Sequence, residues 1–149
     1  MKNPFSLEGK KILITGASSG IGREIAISTS KMGAQIIASG RNEERLNQTL
    51  SSLETGEHQM ILADLNSDEE INKLVSSISG LSGVVHCAGI LQPFPVKFIG
   101  RKQIDHMFNI NYYSSVLLSA RLLKQKKILD SASFVFISSI SSNFRPYFG

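Results

Sequence analysis

A glycine-rich turn near the N-terminus is the segment whose residue types point most directly to chemistry. "TGASSGIG" (residues 15–22) follows the apolar run "KKILIT" and opens a helical pattern. Glycines in such a turn let the backbone approach a phosphate closely, and the helix that follows offers free N–H groups and the positive end of its dipole to the anion. The same glycines could serve a purely structural turn, but the strand–turn–helix context favours nucleotide binding.

Polar residues elsewhere could add chemistry to such a site. Serines cluster in residues 138–142, directly after the apolar run "FVFI". A serine at a strand end can also act only as a backbone cap. Asn111 falls inside a helical stretch, where asparagine is unfavourable because its amide competes with the backbone. This placement suits a functional site, although an exposed helical asparagine is common.

The elements that must position these residues alternate regularly along the chain. Apolar, β-branched runs predict five strands, at "KKILIT", "AQIIAS", "HQMILADL", "GVVHCAG" and "SFVFISS". Helical periodicity predicts four helices between them, over residues 21–33, 42–53, 67–78 and about 101–127. The pattern predicts an α/β fold in one domain, with a parallel sheet wound on both faces. In such folds ligands bind beyond the carboxyl ends of the strands.

The helices carry more specific predictions. Asn42 is placed to cap the second helix, and "SDEE" predicts a capping box at the third, with Ser67 as the cap and Glu70 three residues on. The last helix turns apolar nearly all round at "VLLSARLL", which predicts burial on several sides. In the first helix the apolar residues at helical spacing are Ile21, Ile25 and Met32.

Five segments, in order, resemble motifs of the classical short-chain dehydrogenases/reductases. They are "TGASSGIG", "ADL" (residues 63–65), "HCAG" (86–89), "NIN" around Asn111, and "ISS" (137–139). The resemblance covers essentially the whole chain. It implies a Rossmann-type doubly wound sheet in three αβα layers, here with about five strands and incomplete at the C-terminus. By the same resemblance, residues 1–149 would be one dinucleotide-binding domain, cut before the catalytic helix.

The resemblance also implies a cofactor site and its residues. The motif positions that would bind a nicotinamide dinucleotide, with Asp64 facing the adenine amino group, are Gly16, Ser18, Ser19, Gly20, Ile21, Gly22, Asp64, Leu65, Cys87, Ala88, Gly89 and Ile137. Catalytic roles fall to Ser139, which would position the substrate oxygen, and to Asn111, which would support a proton-relay water. No metal is implied.

The family's proton donor is absent from these residues. Its Tyr-x-x-x-Lys motif places both side chains on one helix face, one turn apart. Tyr112 and Tyr113 have Val116 and Leu117 at the lysine position, and Tyr147 follows Ser139 too closely for the family spacing. We therefore expect the 149 residues alone to be inactive.

Arg41 suggests which dinucleotide would bind. An acidic residue at the end of the second strand usually hydrogen-bonds the ribose 2′-hydroxyl of NAD. Gly40 holds that place here, and Arg41 follows it. A guanidinium can bind a 2′-phosphate, so we expect NADP(H) to be preferred, with NAD(H) possible. The alternative is an exposed arginine that merely opens a helix.

Two residues depart from the family's usual Asn-Asn-Ala-Gly. Cys87 cannot make the hydrogen bonds of the missing asparagine, so the local ties between strands should be weaker. We expect it to pack rather than to react, because a reactive thiol needs a nearby base. His86 is expected to be packed or bonded to backbone rather than catalytic.

Composition excludes several other classes of function. The net charge of +4 is modest, and the densest basic group, "RLLKQKK", ends a helix without interleaved aromatic residues, so we expect no nucleic-acid partner. No apolar run is long enough for a membrane span, and no signal peptide is evident. The single cysteine fits a reducing compartment, and we expect a cytoplasmic protein.

The sequence is compatible with two functions. The first is the N-terminal part of an NADP-dependent carbonyl reductase acting on a small molecule, for which a 3-oxoacyl thioester is the commonest guess. Relatives of that kind are usually homodimers or homotetramers. The second is a naturally short, non-catalytic nucleotide-binding protein.

Overall fold

The framework of the protein is a parallel sheet of five strands. The computed structural model describes residues 3–139. Its strands are β1 (Lys11–Thr15), β2 (Gln35–Gly40), β3 (Gln59–Leu62), β4 (Leu81–His86) and β5 (Ile128–Phe136). They lie in the order β3-β2-β1-β4-β5, and each neighbouring pair is parallel. The prediction of a doubly wound, Rossmann-type sheet with about five strands is confirmed.

The helices lie between the strands, as the periodicity predicts. They are α1 (Gly20–Lys31), α2 (Glu43–Ser51), α3 (Asp68–Ser76), α4 (Arg101–Phe108) and α5 (Ser114–Lys124). A short 3₁₀ turn, Val96–Phe98, precedes α4. A π-helical segment, Asn109–Tyr113, joins α4 to α5, so the helix expected over residues 101–127 is continuous but locally widened. Such segments are frequent at functional sites.

Each face of the sheet has its own hydrophobic core. Because side chains alternate along a strand, β1 sends Ile12 and Ile14 to one face and Leu13 to the other. The first face packs against α1 and α2, and Leu46 is fully buried there. The second packs against α3 and α5, where Leu118 is fully buried. The helices are thereby held at fixed positions beside the strand ends.

The fully buried residues of helix α1 are small, and Ile25 packs beside them against the core. The buried residues are Gly22, Ala26 and Ser30, whereas Ile21 is 60% exposed and Met32 is 37% exposed. Of the three apolar residues at helical spacing, Ile25 packs against the core, whereas Ile21 and Met32 do not. The physical reason is the short distance between helix and turn: a Cβ on Gly22 would overlap the carbonyl of Gly16.

Helix α5 is buried on one side. Leu118 and Leu122 are fully buried, but Val116, Leu117 and Leu123 are exposed. The expectation of burial on several sides is therefore wrong for the part of the chain that the structure describes. One face packs toward the sheet and α3, and no described residue covers the other apolar side chains.

The helix caps agree with the sequence-based predictions, except for one half of the capping box at α3. The Asn42 side chain accepts a hydrogen bond from the Arg45 N–H, as predicted for an N-cap. Ser67 likewise accepts from the Glu70 N–H, which is half of the expected capping box. The other half is wrong, because the Ser67 N–H already donates to the Asp64 carbonyl and the Glu70 carboxylate accepts from the Asp64 N–H, at 2.6 Å.

Two kinds of feature are absent from residues 3–139. None of the helices there combines the length and the apolar character that crossing a bilayer requires. No three His, Cys, Asp or Glu side chains in the same range come together as a possible metal site.

His86 is a packed residue at the end of β4, as expected. It is 5% exposed, its Nε2 lies 2.9 Å from the Ser119 hydroxyl, and its ring stacks on Phe136 with centroids 4.7 Å apart. Burial disfavours the charged imidazolium and lowers the pKa of His86 from 6.5 to about 4.

This burial predicts a pH-dependent stability. In the unfolded chain His86 gains a proton near pH 6.5, whereas the folded protein resists protonation until about pH 4. The free energy of unfolding should therefore fall as the pH is lowered through that window, by up to about 3 kcal/mol. Urea unfolding at several pH values measures this. The His86→Gln variant should lose that part of the pH dependence, and an unchanged profile would contradict the assignment to His86.

Candidate functional site

A cleft of about 730 Å³ opens at the carboxyl ends of the strands. The chain builds β1, β2 and β3 in one direction across the sheet and then returns to place β4 on the other side of β1. The loops after β1 and β4 therefore diverge, which is where doubly wound sheets form their ligand crevices. The walls of the cleft come from residues 16, 18–22, 39–42, 63–65 and 87–90, with Arg45, Ile110 and Ile137.

The glycine turn forms the floor beside the N-terminus of α1. Gly16 has a φ of +68°, and a Cβ there would lie 2.8 Å from the Ala88 backbone. Gly20, with a φ of +52°, has no atom within 4 Å of its Cβ position, so its backbone is open to a ligand. The Ser19 side chain makes no capping hydrogen bond to α1. The helix therefore presents its positive end to the cleft.

Thr15 ties the first strand to the loop after β4. Its Oγ1 accepts hydrogen bonds from the N–H groups of Cys87, at 3.1 Å, and Ala88, at 3.2 Å. Sequence reasoning did not select Thr15, although a threonine directly before the first glycine of the turn was an available signal. We expected weaker ties between the strands here, because Cys87 lacks the amide of the family's asparagine. The two hydrogen bonds from Thr15 provide such a tie between β1 and the loop after β4. Burial raises the pKa of the Cys87 thiol, which fits a packing role.

The wall beyond β2 is basic. Arg41 follows the strand directly, and Arg45 extends from the first turn of α2. Among the described residues that line the cleft, the charged ones are these two arginines and Asp64. The cleft therefore carries an excess of positive charge, which attracts anions.

Asp64 is held in place by its neighbours at the end of β3. Its N–H donates to the Glu70 carboxylate at 2.6 Å, and its own Oδ1 accepts from the Asn66 N–H at 2.9 Å. These local bonds fix the turn that carries Asp64 and Leu65 along the cleft wall. Glu70 is thus a supporting residue of the site, which the capping-box pattern alone did not indicate.

Asn111 fixes the loop at the rim of the cleft. Its Oδ1 accepts from the Ile90 N–H at 2.8 Å, and its Nδ2 donates to the Ile90 carbonyl at 2.9 Å. Both hydrogen-bonding ends of the amide therefore hold one residue of the loop after β4. The π-helical segment brings Asn111 to that position. The expected role at a relay water remains a prediction.

Comparisons with known proteins identify the family. A family model described as short chain dehydrogenase matches residues 10–149. The chain belongs to the short-chain dehydrogenase/reductase family. Similar proteins include the uncharacterized oxidoreductase YvaG of Bacillus subtilis, 33% identical over 91% of this chain and 53% of its own length. Another is the 3-oxoacyl-[acyl-carrier-protein] reductase FabG of Rickettsia prowazekii, 34% identical over 91% and 56%. The chain spans about half the length of these curated relatives.

Solved structures agree with the sequence relatives. A dehydrogenase/reductase from Sinorhizobium meliloti superposes with a TM-score of 0.87 at 25% identity, over 96% of this chain and 59% of its own. A short chain dehydrogenase from Escherichia coli, complexed with NADPH, superposes with a TM-score of 0.81 at 33% identity, over 91% and 60%.

The cleft brings the predicted cofactor-binding residues together. All of them line it, namely Gly16, Ser18, Ser19, Gly20, Ile21, Gly22, Arg41, Asp64, Leu65, Cys87, Ala88, Gly89 and Ile137. Asn111 and Ser139 are not among the lining residues, but each lies close in sequence to one that is, Ile110 or Ile137. Ser139 is exposed. Tyr147, Ser141 and Ser142 lie outside the described residues.

The cleft fits the group that this family uses, NAD(P)H. The open backbone at Gly20 and the uncapped N-terminus of α1 suit a diphosphate. Asp64 and Leu65 line the cleft after β3, and Arg41 and Arg45 line the neighbouring wall after β2. The residues present therefore meet the chemical demands of a dinucleotide.

We predict that Gly16 tolerates no side chain. Gly16→Ala adds a Cβ that collides with the Ala88 backbone, in addition to the strain of its positive φ. Gly9 is a matched control, because its φ is +72° and its Cβ position has nothing within 4 Å. Gly9→Ala should cost about 1–2 kcal/mol in urea unfolding, and Gly16→Ala clearly more. Equal losses would contradict the importance of the contact.

Proposed function

We propose that the protein is an NADP(H)-dependent oxidoreductase that interconverts a carbonyl and an alcohol. The observation that carries this proposal is the end of β2, where Gly40 and Arg41 border the cleft. An acidic residue there would repel a 2′-phosphate, whereas a guanidinium can donate two hydrogen bonds to it. Arg45, in the first turn of α2, adds a second positive charge on the same wall.

The chain's own residues would prepare both ends of the cofactor. When bound, the nicotinamide supplies or accepts the hydride. The glycine turn and the N-terminus of α1 would hold the diphosphate, and Asp64 would contact the adenine. At the opposite end, Asn111 keeps the Ile90 loop at the rim, and Ser139 would orient the substrate oxygen with its hydroxyl.

The substrate class is supported by relatives. Rickettsial FabG proteins, named for reducing 3-oxoacyl groups on acyl-carrier protein, are 31–34% identical to this chain. A 3-oxoacyl thioester is therefore our preferred substrate. An L-xylulose reductase of Caenorhabditis elegans is equally similar, at 34%, so a sugar carbonyl is the natural competing substrate in an assay.

The second candidate is a non-catalytic nucleotide-binding protein. It is favoured by one observation: the 149 residues contain no Tyr-x-x-x-Lys. Sequencing the gene past the codon for Gly149 separates the two candidates. A Tyr-x-x-x-Lys shortly after that codon supports the enzyme, and a stop codon supports the binding protein.

Other properties of the protein remain predictions. They are the single dinucleotide-binding domain over residues 1–149, the cytoplasmic location, and a homodimer or homotetramer. The exposed side chains of Tyr112, Tyr113, Val116 and Leu117 along the α4–α5 helix support an oligomer, because a contiguous apolar surface is a common subunit interface.

We predict that Arg41 confers the preference for NADPH. Native protein should bind NADPH at least tenfold more tightly than NADH, since a charged hydrogen bond to the 2′-phosphate contributes about 1.5–3 kcal/mol. Arg41→Ala should remove that difference by weakening NADPH alone. Titration calorimetry measures both affinities. Arg101→Ala, which removes an arginine on α4 away from the cleft, is the matched control and should change neither. Equal native affinities would overturn the proposal.

We further predict that the 149-residue chain alone does not turn over a ketone. NADPH should bind, but a reaction needs a proton donor for the developing alkoxide, and the tyrosine and lysine of the family motif are missing. NADPH absorbance is followed with a 3-oxoacyl thioester, with a FabG enzyme as positive control. Steady oxidation of NADPH by the chain would contradict this.

A further inference from the structure

The Glu70 carboxylate makes a hydrogen bond that the cap of α3 does not require. It accepts the Asp64 N–H at 2.6 Å, across the turn between β3 and α3. Glu70 is half-buried and is not among the residues that line the cleft, whereas Asp64 is. The cap of α3 uses the backbone of Glu70, whose N–H donates to the Ser67 hydroxyl. A change of the Glu70 side chain therefore alters the turn and leaves that cap in place.

The other hydrogen-bonding groups of Asp64 are engaged as well, with one exception. The Asp64 carbonyl accepts the Ser67 N–H at 3.0 Å, and its Oδ1 accepts the Asn66 N–H at 2.9 Å. Together with the bond to Glu70, these contacts fix the peptide groups on both sides of Asp64 and the torsion of its side chain. Within residues 3–139 no hydrogen bond is made by the second carboxylate oxygen, Oδ2. Asp64 therefore offers one free acceptor at the wall of the cleft.

The fold places this acceptor beside the end of β2. The Ala63 N–H donates to the Gly40 carbonyl at 3.0 Å, so the residue before Asp64 is bonded to the residue before Arg41. In NADPH the 2′-phosphate and the base are attached to adjacent carbons of one ribose. A 2′-phosphate on Arg41 therefore leaves the base next to Asp64. A carboxylate repels phosphates and accepts only from N–H or O–H groups, and the exocyclic amine of adenine is such a donor.

We propose that Glu70 is a positioning residue that holds Asp64 so that its free oxygen accepts a hydrogen bond from the adenine amino group. The two residues thereby give the site a preference for adenine over hypoxanthine, which carries a carbonyl oxygen in place of the amine and would be repelled by the carboxylate. This inference rests on the proposed function, because it presumes a dinucleotide in the cleft with its 2′-phosphate at Arg41. Glu70 touches no ligand and acts only through Asp64.

Two ratios of affinities separate the role of Glu70 from that of Arg41. The base ratio compares NADPH with deamino-NADPH, in which hypoxanthine replaces adenine, and the phosphate ratio compares NADPH with NADH. Arg41 acts on the 2′-phosphate, which NADPH and deamino-NADPH share, so Arg41→Ala should change the phosphate ratio alone. Glu70 acts on the base, which NADPH and NADH share, so its variants should change the base ratio alone. A general defect of the cleft would weaken all three ligands by a similar factor and leave both ratios unchanged.

The test is titration calorimetry with NADPH, deamino-NADPH and NADH. Native protein should prefer NADPH to deamino-NADPH by about tenfold, the size expected for one hydrogen bond to a charged acceptor. Glu70→Ala should remove most of this preference, because the Asp64 N–H loses its acceptor and the turn is free to reorient. Glu70→Gln keeps an oxygen that can accept this N–H and should retain most of the preference. Asp64→Ala should abolish it, and adding Glu70→Ala to that variant should change the base ratio no further, since Glu70 acts through Asp64.

Glu69→Ala is the matched control. Glu69 is the preceding carboxylate on the same turn of α3, it is exposed, and it pairs with Lys73 at 2.7 Å rather than with the turn. Its loss should change neither ratio. Thermal unfolding of each variant is measured alongside, so that affinities are compared well below the melting temperature.

The outcomes separate the inference from the proposed function. If native protein binds neither NADPH nor NADH, both fail. If native protein prefers NADPH to NADH but binds deamino-NADPH as tightly as NADPH, the role of Asp64 and Glu70 is overturned while the proposed function stands. The same holds if Glu70→Ala leaves the base ratio unchanged, or if it lowers the base ratio equally in the presence and absence of the Asp64 side chain.

Discussion

The backbones of Gly16 and Ala88 are in direct contact at the carboxyl edge of the sheet, and the rest of the site depends on that contact. A side-chain carbon on Gly16 would lie within 2.8 Å of Ala88. Thr15 reinforces the contact by accepting hydrogen bonds from the N–H groups of Cys87 and Ala88. Because β1 and β4 are held together here, the loops that follow them diverge from a fixed point and leave the cleft between them.

Close packing of α1 against Gly16 also fixes the part of the cleft beside the N-terminus of that helix. Gly22 lets the first turn of the helix lie directly on Gly16, and the small residues Ala26 and Ser30 continue the contact along the sheet. The N-terminus of α1 is thereby set at a definite distance from the floor of the cleft. The electrostatics of the cleft follow from this geometry. The uncapped N-terminus of α1, Arg41 and Arg45 all face the cleft, and Asp64 is the one acidic residue among the described residues that line it.

Much of this arrangement could be predicted from short stretches of sequence. The strand runs and the cap at Asn42 depend on neighbours a few residues apart, and the structure confirms them. Which side of each helix is buried was less predictable. Ile21 looks like a core residue by its type, yet it is exposed, because the close approach of α1 to the glycine turn is made through Gly22 on another side of the helix. Apolar residues of α5 are exposed for a different reason: the described residues offer them only one packing surface.

The sequence by itself determined the class of the fold, the order of its elements and the residues at the ends of its strands. Glycine, β-branched and capping residues act through local backbone preferences, so their effect can be predicted without knowledge of the tertiary structure. Only the tertiary structure decided which distant groups support them. Asn111 on the Ile90 loop and Glu70 on the Asp64 N–H each form a hydrogen bond set by where elements pack. Such bonds depend on distances between elements, and no local pattern encodes those distances.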